Sequence, residues 1–546
     1  MSSFIDTIFN TLEAQGEGPA IVEIHGTEPR VSSARALLEM QSRVRTFLEH
    51  AGVKPGDRVA LLAPNSARWA ACDLAILAHG GIVVPLYARQ DPDELAIMTR
   101  DCTPTLVLSA TKALADGLTR AWPEHCPVVL FDDLFAADPS DSPRHDRKAD
   151  DPVTLIYTSG TSGVPKGVIT TRQNVDFMIP QTVSSLAEIK GQRSGADRVF
   201  HYLPFCFAGS RIMLWTQLYR GNAIMVSSDL TDLVRELGTA APHYYLNVPA
   251  LLERVKNGVY SKVCERGGLA LTIYKRGLAA AMAKLKGEKI GLRDRIWATL
   301  ASKVIFPKIK AQIGTHLEFL ICGSAPLNPD TQRWFSIIGI PVYQIYGLTE
   351  TTAIVTIDRP ERAVPGRVGS AIAGCTLKIS DEGELLISGP NIFPAYWNKP
   401  KETAEALVDG WLHTGDQADL DAEGNLRIIG RVKNILVPES GHNVAPEPIE
   451  QLLLAHLPAA EQAVLIGHAR PYLTVIVTGP VNTAAIEAAI EKVNAEVPHY
   501  RKIRKHLHVP EPLTIESGLL TANQKLRRRA IEAHFRPQLD QLYSAS

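Results

Sequence analysis

Tyr157-Thr158-Ser159-Gly160-Thr161-Ser162-Gly163-Val164-Pro165-Lys166-Gly167-Val168 sets the reading of this 546-residue chain. The apolar run before it (Val153, Leu155, Ile156) has the composition of a buried strand, and Val168-Ile169 begins another. Between them lie hydroxyl side chains, glycines and a lysine. Glycines let backbone N–H groups close on an oxyanion with no Cβ in the way, and hydroxyls add donors. The lysine adds a point charge suited to a polyphosphate. The loop is built to hold phosphate. It is not a Walker A loop, which ends in Gly-Lys-Ser/Thr and opens a helix; here Pro165 precedes Lys166 and a strand follows.

On the N-terminal side, apolar residues recur at helical spacing from Arg35 to His50. A strand at Val59–Ala63, a helix at Ala67–His79 and a strand at Ile82–Leu86 follow, and Asp93–Thr99 and Leu106–Leu108 continue the alternation. Strand–helix–strand units of this size predict a doubly wound α/β sheet, whose ligands sit at the carboxyl ends of strands. The polar stretch Ala136–Asp150 reads as an exposed linker. On the C-terminal side a second alternating region runs from about Arg198 to Tyr346, with a helix at Lys303–Ile313. Its strand Leu317–Cys322 ends on Gly323-Ser324-Ala325-Pro326, and its strand Val342–Tyr346 ends on Gly347-Leu348-Thr349-Glu350-Thr351. From Gly366 to Gly430 short strands with glycine turns predict a small β-barrel. After Arg431 comes a compact α+β segment of ordinary domain size, about a hundred residues, ending in a basic amphipathic helix.

A chain of this length exceeds one ordinary core, so two or more domains are expected. Apolar residues make up 45% and charged residues 21% of it, as in a soluble globular protein, and a formal net charge of −1 gives no reason to expect nucleic acid. The seven cysteines are scattered without a Cys-x-x-Cys pair, which argues against a zinc site or a disulfide framework and fits a reducing compartment. The start of the chain lacks a basic and then apolar leader, so a cytoplasmic location is expected. The apolar stretch Ala70–Leu86, broken by Asp73, His79 and Gly80-Gly81, reads as a core helix turning into a strand.

Two further clusters narrow the chemistry. The Tyr346 ring can stack on a base, and the lone carboxylate of Glu350 beside polyphosphate can hold Mg²⁺. In Trp411-Leu412-His413-Thr414-Gly415-Asp416 the aspartate reads as lying in a tight turn, where it can accept both hydroxyls of a ribose. Either cluster alone is weak; together with the phosphate loop they describe a nucleotide site.

With these residues in view the sequence resembles the adenylate-forming enzymes: acyl-CoA synthetases, adenylation domains and luciferases. Five segments match in family order: Tyr157–Lys166 (phosphate), Tyr346–Thr351 (adenine and magnesium), Trp411–Asp416 (ribose), Gly430–Lys433 (hinge) and Leu520–Leu526 (catalytic lysine). The resemblance implies an N-terminal adenylation domain over 1–430, a hinge over 431–435 and a small mobile α+β domain over 436–546. It implies ATP contacts at Thr158, Ser159, Gly160, Thr161, Ser162, Gly163, Lys166, Gly323, Ser324, Ala325, Pro326, Gln344, Tyr346, Gly347, Asp416 and Arg431. Glu350, the implied Mg²⁺ ligand, joins Thr349 and Lys525 in catalysis. Lys433 is the implied pivot, Gly441-His442-Asn443 the loop for an attacking thiol, and Phe205 and Phe207 the acyl pocket. On spacing alone Lys525 reads as a solvated cation beside Arg527-Arg528-Arg529; its role comes from the resemblance.

The implied reaction joins a carboxylic acid to ATP with loss of pyrophosphate, then passes the acyl group to coenzyme A. The segments Phe319–Pro329, Val248–Val255 and Gly441–Glu450 resemble the long-chain acyl-CoA synthetases, implying a medium- or long-chain fatty acid. Two departures bear on substrate and acceptor. Phe207 stands where the family usually has histidine, and Ala522-Asn523-Gln524 is more polar than usual beside the lysine. An acyl-carrier protein or an amine stays open as acceptor. The basic run Arg501-Lys502-Ile503-Arg504-Lys505 suits CoA phosphates, an acidic carrier or plain solvent. Leu269–Ile309, amphipathic and basic, suits either an anionic membrane surface or a helix pair packed on the large domain. A non-catalytic nucleotide-binding relative is disfavoured by the presence of Glu350, Asp416, Arg431 and Lys525 together.

Overall fold

The computed structural model describes residues 2–139, 142–159, 165–227, 229–521 and 524–544. Gly160, Thr161, Ser162, Gly163 and the pair Ala522-Asn523 lie outside the described residues.

The predicted α/β alternation is present as two large sheets. One has six strands in the spatial order Val128–Leu130, Leu106–Ser109, Arg58–Leu62, Ile82–Leu86, Pro152–Ser159, Pro165–Thr171. All neighbours in it are parallel except the last pair, an antiparallel hairpin in which Thr158 faces Lys166. The other has nine strands, with a parallel centre running Ile224–Ser227, Val199–His201, Tyr244–Asn247, Leu320–Cys322, Val342–Tyr346. Strands such as Ile82–Leu86, apolar throughout, are buried at every position because helices cover both faces. The helix Ala67–His79 starts where Ser66 accepts the Trp69 N–H at 3.0 Å and stops at Gly80, whose φ of 94° is left-handed. Helix and strand together account for the apolar stretch read as core. Among the described residues no helix is long and apolar enough to cross a membrane.

Several expectations are corrected. The sheet after Gly366 is open: its order is Thr376–Ile379, Glu384–Ser388, Trp411–Leu420, Leu407–Val408, with Leu426–Arg431 on the far half of the long strand. Among the described residues no pairing closes it into a barrel. The segment read as an exposed linker carries buried Arg147, whose guanidinium donates to the carbonyls of Leu77, Gly81 and Pro152. At the end of the Ala67–His79 helix the Leu77 carbonyl already accepts the Gly80 N–H, and the cation adds a favourable charge at that negative end. The helix expected over Lys303–Ile313 is two helices, Leu292–Val304 and Phe306–Ile313, because Pro307 starts a new one. The terminal helix is likewise divided into Arg528–His534 and Arg536–Ser544.

The C-terminal segment has its own core. Its strands Gln462–Ile466, Leu473–Thr478 and Ile503–Val509 form one sheet, and alternate side chains enter two clusters. Ala463, Leu465, Val475 and Val477 pack under the helices Pro446–His456 and Thr483–Glu496. Val464, Ile466 and Ile476 pack on Leu519, Leu520, Leu526 and Ile531. The second cluster seats the hairpin that carries Lys525.

Candidate active site

Three strand ends of the large domain and one hairpin of the C-terminal segment converge. The strand Val342–Tyr346 delivers the Tyr346 ring. Gly347 follows because a Cβ there would lie 1.7 Å from the Ala353 carbonyl oxygen. Thr349-Glu350-Thr351 form a short 3₁₀ turn, fixed by Thr351 Oγ1 accepting the Leu348 N–H at 2.8 Å. Glu350 is tied through its carbonyl, which accepts the Phe393 N–H at 2.9 Å, to the loop that follows the strand Glu384–Ser388. Its Oε1 accepts the Tyr396 hydroxyl at 2.8 Å, and Lys166 Nζ lies 4.9 Å over the Tyr396 ring. Lys166 and Glu350 thus share one aromatic support.

Asp416 lies in mid-strand, not in a tight turn: Trp411–Leu420 is continuous and pairs Asp416 directly with Arg431 of the next strand. Arg431 Nε holds Asp416 Oδ1 at 2.7 Å, and Tyr346 donates to Oδ2 at 2.5 Å. Arg431 also donates to the Thr414 carbonyl at 3.1 Å. Burial pushes the Asp416 carboxyl up, against the lowering pull of Arg431, the Tyr346 hydroxyl and Lys525. Burial pulls the Arg431 guanidinium down, yet Asp416, Tyr346, Glu350 and Glu447 outweigh it and leave it raised.

Lys525 stands on a tight hairpin. Its N–H donates to Thr521 Oγ1 at 3.1 Å, its carbonyl accepts the Thr521 N–H at 2.8 Å, and Gln524 turns with φ 58°. The side chain keeps surface open to solvent while the atoms of both domains crowd around it. That crowding is the main cause of an ammonium held below the ordinary lysine value. Arg431 adds to the lowering, and Asp416 and Glu350 oppose it. Lys525 therefore lies in the field of both carboxylates, which belong to the other domain.

The remaining expected residues divide. Gly323 is buried, and a Cβ on it would meet Ile345 Cγ1 at 2.8 Å; Ser324 (φ 73°), Ala325 and Pro326 are exposed after it. Gln344 is 3% exposed, and its amide nitrogen donates to Gln332 Oε1 at 2.9 Å and the Arg367 carbonyl at 2.8 Å. Its donors serve the fold. Phe205 is fully buried, stacking on His201 at 5.2 Å and packing on Trp69 at 5.2 Å, whereas Phe207 is half-buried against Tyr87. Ser159 ends the strand that faces Pro165. Lys433 is exposed in the 3₁₀ turn Val432–Asn434. His442 packs edge-on to Tyr500 at 4.5 Å, and the Arg501 guanidinium lies 5.3 Å over the same ring, so the expected thiol loop and the basic run meet there. Gly441 turns with φ 75°, and Asn443 is exposed beside them. Lys505 is used elsewhere, donating to the Leu542 carbonyl at 2.6 Å.

Sequence reasoning missed Tyr396, which is 46 residues from Glu350 and sits in no recognisable motif. It also missed Glu384, which accepts the Gly415 N–H at 2.7 Å and His413 at 2.9 Å and so fixes the strand before Asp416.

Comparison with known proteins agrees with this geometry. Residues 9–397 match the AMP-binding enzyme family, and residues 433–546 match the AMP-binding enzyme C-terminal domain. A long-chain-fatty-acid–CoA ligase of Mycobacterium bovis, FadD15, is 28% identical over 544 residues, covering 90% of this chain and 89% of that one. Long chain acyl-CoA synthetase 7 of Arabidopsis thaliana is 27% identical, covering 90% of this chain and 79% of that one. The adenylation domain of a carboxylate reductase from Mycobacterium chelonae has the same fold, with a TM-score of 0.80 at 22% identity over 100% of this chain and 91% of that one. ATP-bound MatB from Rhodopseudomonas palustris has it too, with a TM-score of 0.75 at 21% identity over 98% and 99%. The hairpin that carries Lys166, a strand-borne carboxylate–arginine pair and a lysine offered by a separate C-terminal domain occur in a chain that belongs to the AMP-binding enzyme family, the adenylate-forming ligases.

Proposed function

We propose that the protein is an AMP-forming acyl-CoA ligase for a medium- or long-chain fatty acid. The observation that carries the reading is the placement of Lys525, from the C-terminal domain, in the field of Glu350 and Asp416. A carboxylate is a poor acyl donor, because its leaving group would be an oxide. Attack of its oxygen on the α-phosphorus of ATP, with cleavage of the α–β phosphoanhydride, gives acyl-AMP and pyrophosphate. The barrier is mainly that an anion must approach a polyanion. Lys525 bridges the two, and Lys166 with Thr158 and the loop between them holds the β- and γ-phosphates. Preorganised charge of this kind contributes about 10²–10³ in rate per group.

The donor set fits nucleotide and metal. Asp416 and Arg431 offer an acceptor pair and a cation for a ribose, and the Tyr346 ring offers a face for a base. Glu350 is a single hard oxygen ligand with its other partners left to phosphate oxygens, the usual way Mg²⁺ is held beside ATP. Bound there, the ion would neutralise charge on the phosphates. Thr349 lies beside Glu350 on the same turn, and Gly323–Pro326 with Gly347 line the approach to the base.

Transfer to a thiol needs Lys525 withdrawn and the Gly441-His442-Asn443 loop brought in. Rotation at Lys433 accomplishes both. CoA as acceptor is supported by the cluster of His442, Tyr500 and Arg501, which sets a cation and an aromatic face beside that loop. The fatty-acid assignment is supported by the relatives named above. The test is pyrophosphate release across a panel of carboxylic acids, with and without CoA. Release that rises with alkyl chain length and turns over only with CoA is expected. A signal with aryl acids alone would overturn the fatty-acid reading, and turnover with a carrier protein but not CoA would overturn the acceptor.

A further inference from the structure

The helix Leu292–Val304 turns large aliphatic side chains to solvent: Leu292 is 76% exposed, Ile296 59% and Leu300 37%. At about 100° per residue these three cover about 80° of the helix circumference. The same geometry sets Arg295 about 60° to one side of Leu292, Arg293 about 100° to the other, and Lys303 about 20° from Leu292 toward the C-terminal end. All three cations are exposed. The inner face is the packed one. Ala301 is fully buried against Gly277 of the helix Gly268–Leu285, where an added Cβ would lie 2.2 Å from the Ala301 Cβ. Trp297 sits there beneath Arg276, whose guanidinium is 5.0 Å from the ring. The helix is thus anchored by one side, and the outer aliphatic strip has no part in that packing. Leu269 (71% exposed) and Leu285 (54%), near the ends of the neighbouring helix, add to the apolar surface.

Charge identifies the occupant. Residues 268–313 hold ten lysines and arginines against two acidic residues, Glu288 and Asp294, in a chain whose formal net charge is −1. The positive excess is therefore local to this helical region. A helix with an aliphatic centre, cationic flanks and few acids is the form that lies in the plane of an anionic bilayer. We infer that Leu292–Val304 docks the enzyme on an anionic lipid surface. Leu292, Ile296 and Leu300 enter the headgroup–acyl boundary, while Arg293, Arg295 and Lys303 meet lipid phosphates. This surface does not depend on which acid the enzyme activates, so its test is a binding assay with no turnover in it.

The experiment is cosedimentation with vesicles of phosphatidylcholine, with and without phosphatidylglycerol, at low and high salt. The full chain is compared with Leu292→Ser/Ile296→Ser/Leu300→Ser and with Arg293→Gln/Arg295→Gln/Lys303→Gln. The expected result is binding to the anionic vesicles that weakens with salt, and about tenfold or greater weakening in each triple variant. Thermal melting of both variants should match the parent, since all six side chains face outward. Equal binding to both vesicle types, or serine variants that bind like the parent, would overturn the inference. So would a parent that ignores vesicles while forming a dimer, or binding an acidic carrier protein, through this strip.

Discussion

Arg527, two residues beyond Lys525, forms an ion pair with Glu94 on the helix Pro92–Cys102 of the large domain. Glu94 is itself held by the Gln90 side-chain amide. The pair joins the large domain to the hairpin whose Lys525 lies in the field of Glu350 and Asp416. Both side chains are about three-quarters buried (29% and 24% exposed), and partly exposed pairs contribute about 0.2–1 kcal/mol. Glu94→Gln or Arg527→Gln should therefore slow acyl-AMP formation by up to about fivefold. The reaction of supplied acyl-AMP with CoA should be unchanged, and the charge-swapped double variant should recover part of the loss. Single-turnover rates of the two half-reactions give the answer. Equal slowing of both would show that the pair supports the fold and not this domain arrangement.

Lys525→Ala should reduce acyl-AMP formation by about 10²–10³ and leave thioester formation from supplied acyl-AMP largely intact. In the proposed reaction the ammonium is the active form, and burial and Arg431 hold its pKa below the ordinary lysine value. Adenylation should consequently fall as pH rises through that lowered value, before a free lysine would lose its proton. Lys525→Arg, charged throughout this range, should remove the falling limb from whatever activity it retains. Stopped-flow pyrophosphate release between neutral and alkaline pH measures both effects.

Lys433 lies in the 3₁₀ turn that joins the domains, where the Ile435 N–H reaches the Val432 carbonyl at 3.4 Å. Proline there fixes φ and removes a donor. Lys433→Pro should impair thioester formation more than adenylation, because in the proposed cycle only the second step needs the rotated arrangement. Loss of both to the same extent would remove Lys433 from the hinge.

Asp358 supports the Gln344 strand from within: its Oδ2 accepts the Gln344 N–H at 2.9 Å and the Gln332 amide at 3.2 Å, while its buried Oδ1 has no hydrogen-bond partner among the described residues. Burial pushes this carboxyl up to about 7, against the lowering effect of those two bonds. A folded-state value above the unfolded one means that the fold favours the protonated acid. The associated stability is present below the unfolded carboxylate range and is lost as pH rises toward 7 and through it. Asp358→Asn cannot ionise, so relative to the parent it should gain on the order of 2 kcal/mol between pH 5 and pH 8. Thermal melts at the two pH values decide it, and parallel curves would show that Asp358 does not titrate there.

What was legible in the sequence follows the range of the interactions concerned. Ala67–His79 was readable because its cap at Ser66 and stop at Gly80 are local, and Val342–Tyr346 because its burial is written in its own apolar run. The closed barrel was not supported, since strand composition carries no information on whether the last strand pairs with the first. Asp416 was placed in a turn because Thr-Gly-Asp is turn-like locally, yet Glu384 and Arg431 on neighbouring strands hold it extended. Gln344 was expected at the nucleotide from the family resemblance, and its own sequence gives no sign of what its side chain binds. Its partners Gln332 and Arg367, 12 and 23 residues away, commit it to the interior. In each case the deciding partner is distant in the chain.

Tyr396 is the sharpest of these distant partners, and the most direct to test. Its hydroxyl donates to Glu350 Oε1 at 2.8 Å while its ring lies under Lys166 at 4.9 Å, so one side chain orients the proposed metal carboxylate and one phosphate cation. Tyr396→Phe removes the first contact and keeps the second. A hydrogen bond to a charged group is worth about 1.5–3 kcal/mol, so adenylation should fall by about ten- to a hundredfold, with a higher Mg²⁺ concentration needed for half-maximal rate. Tyr396→Leu removes the ring as well and should raise the KM for ATP beyond that of the phenylalanine variant, because Lys166 loses its support. A Tyr396→Phe enzyme with an unchanged Mg²⁺ requirement would mean that the hydroxyl only packs the site, and Glu350 would then be oriented by its backbone bond to Phe393 alone.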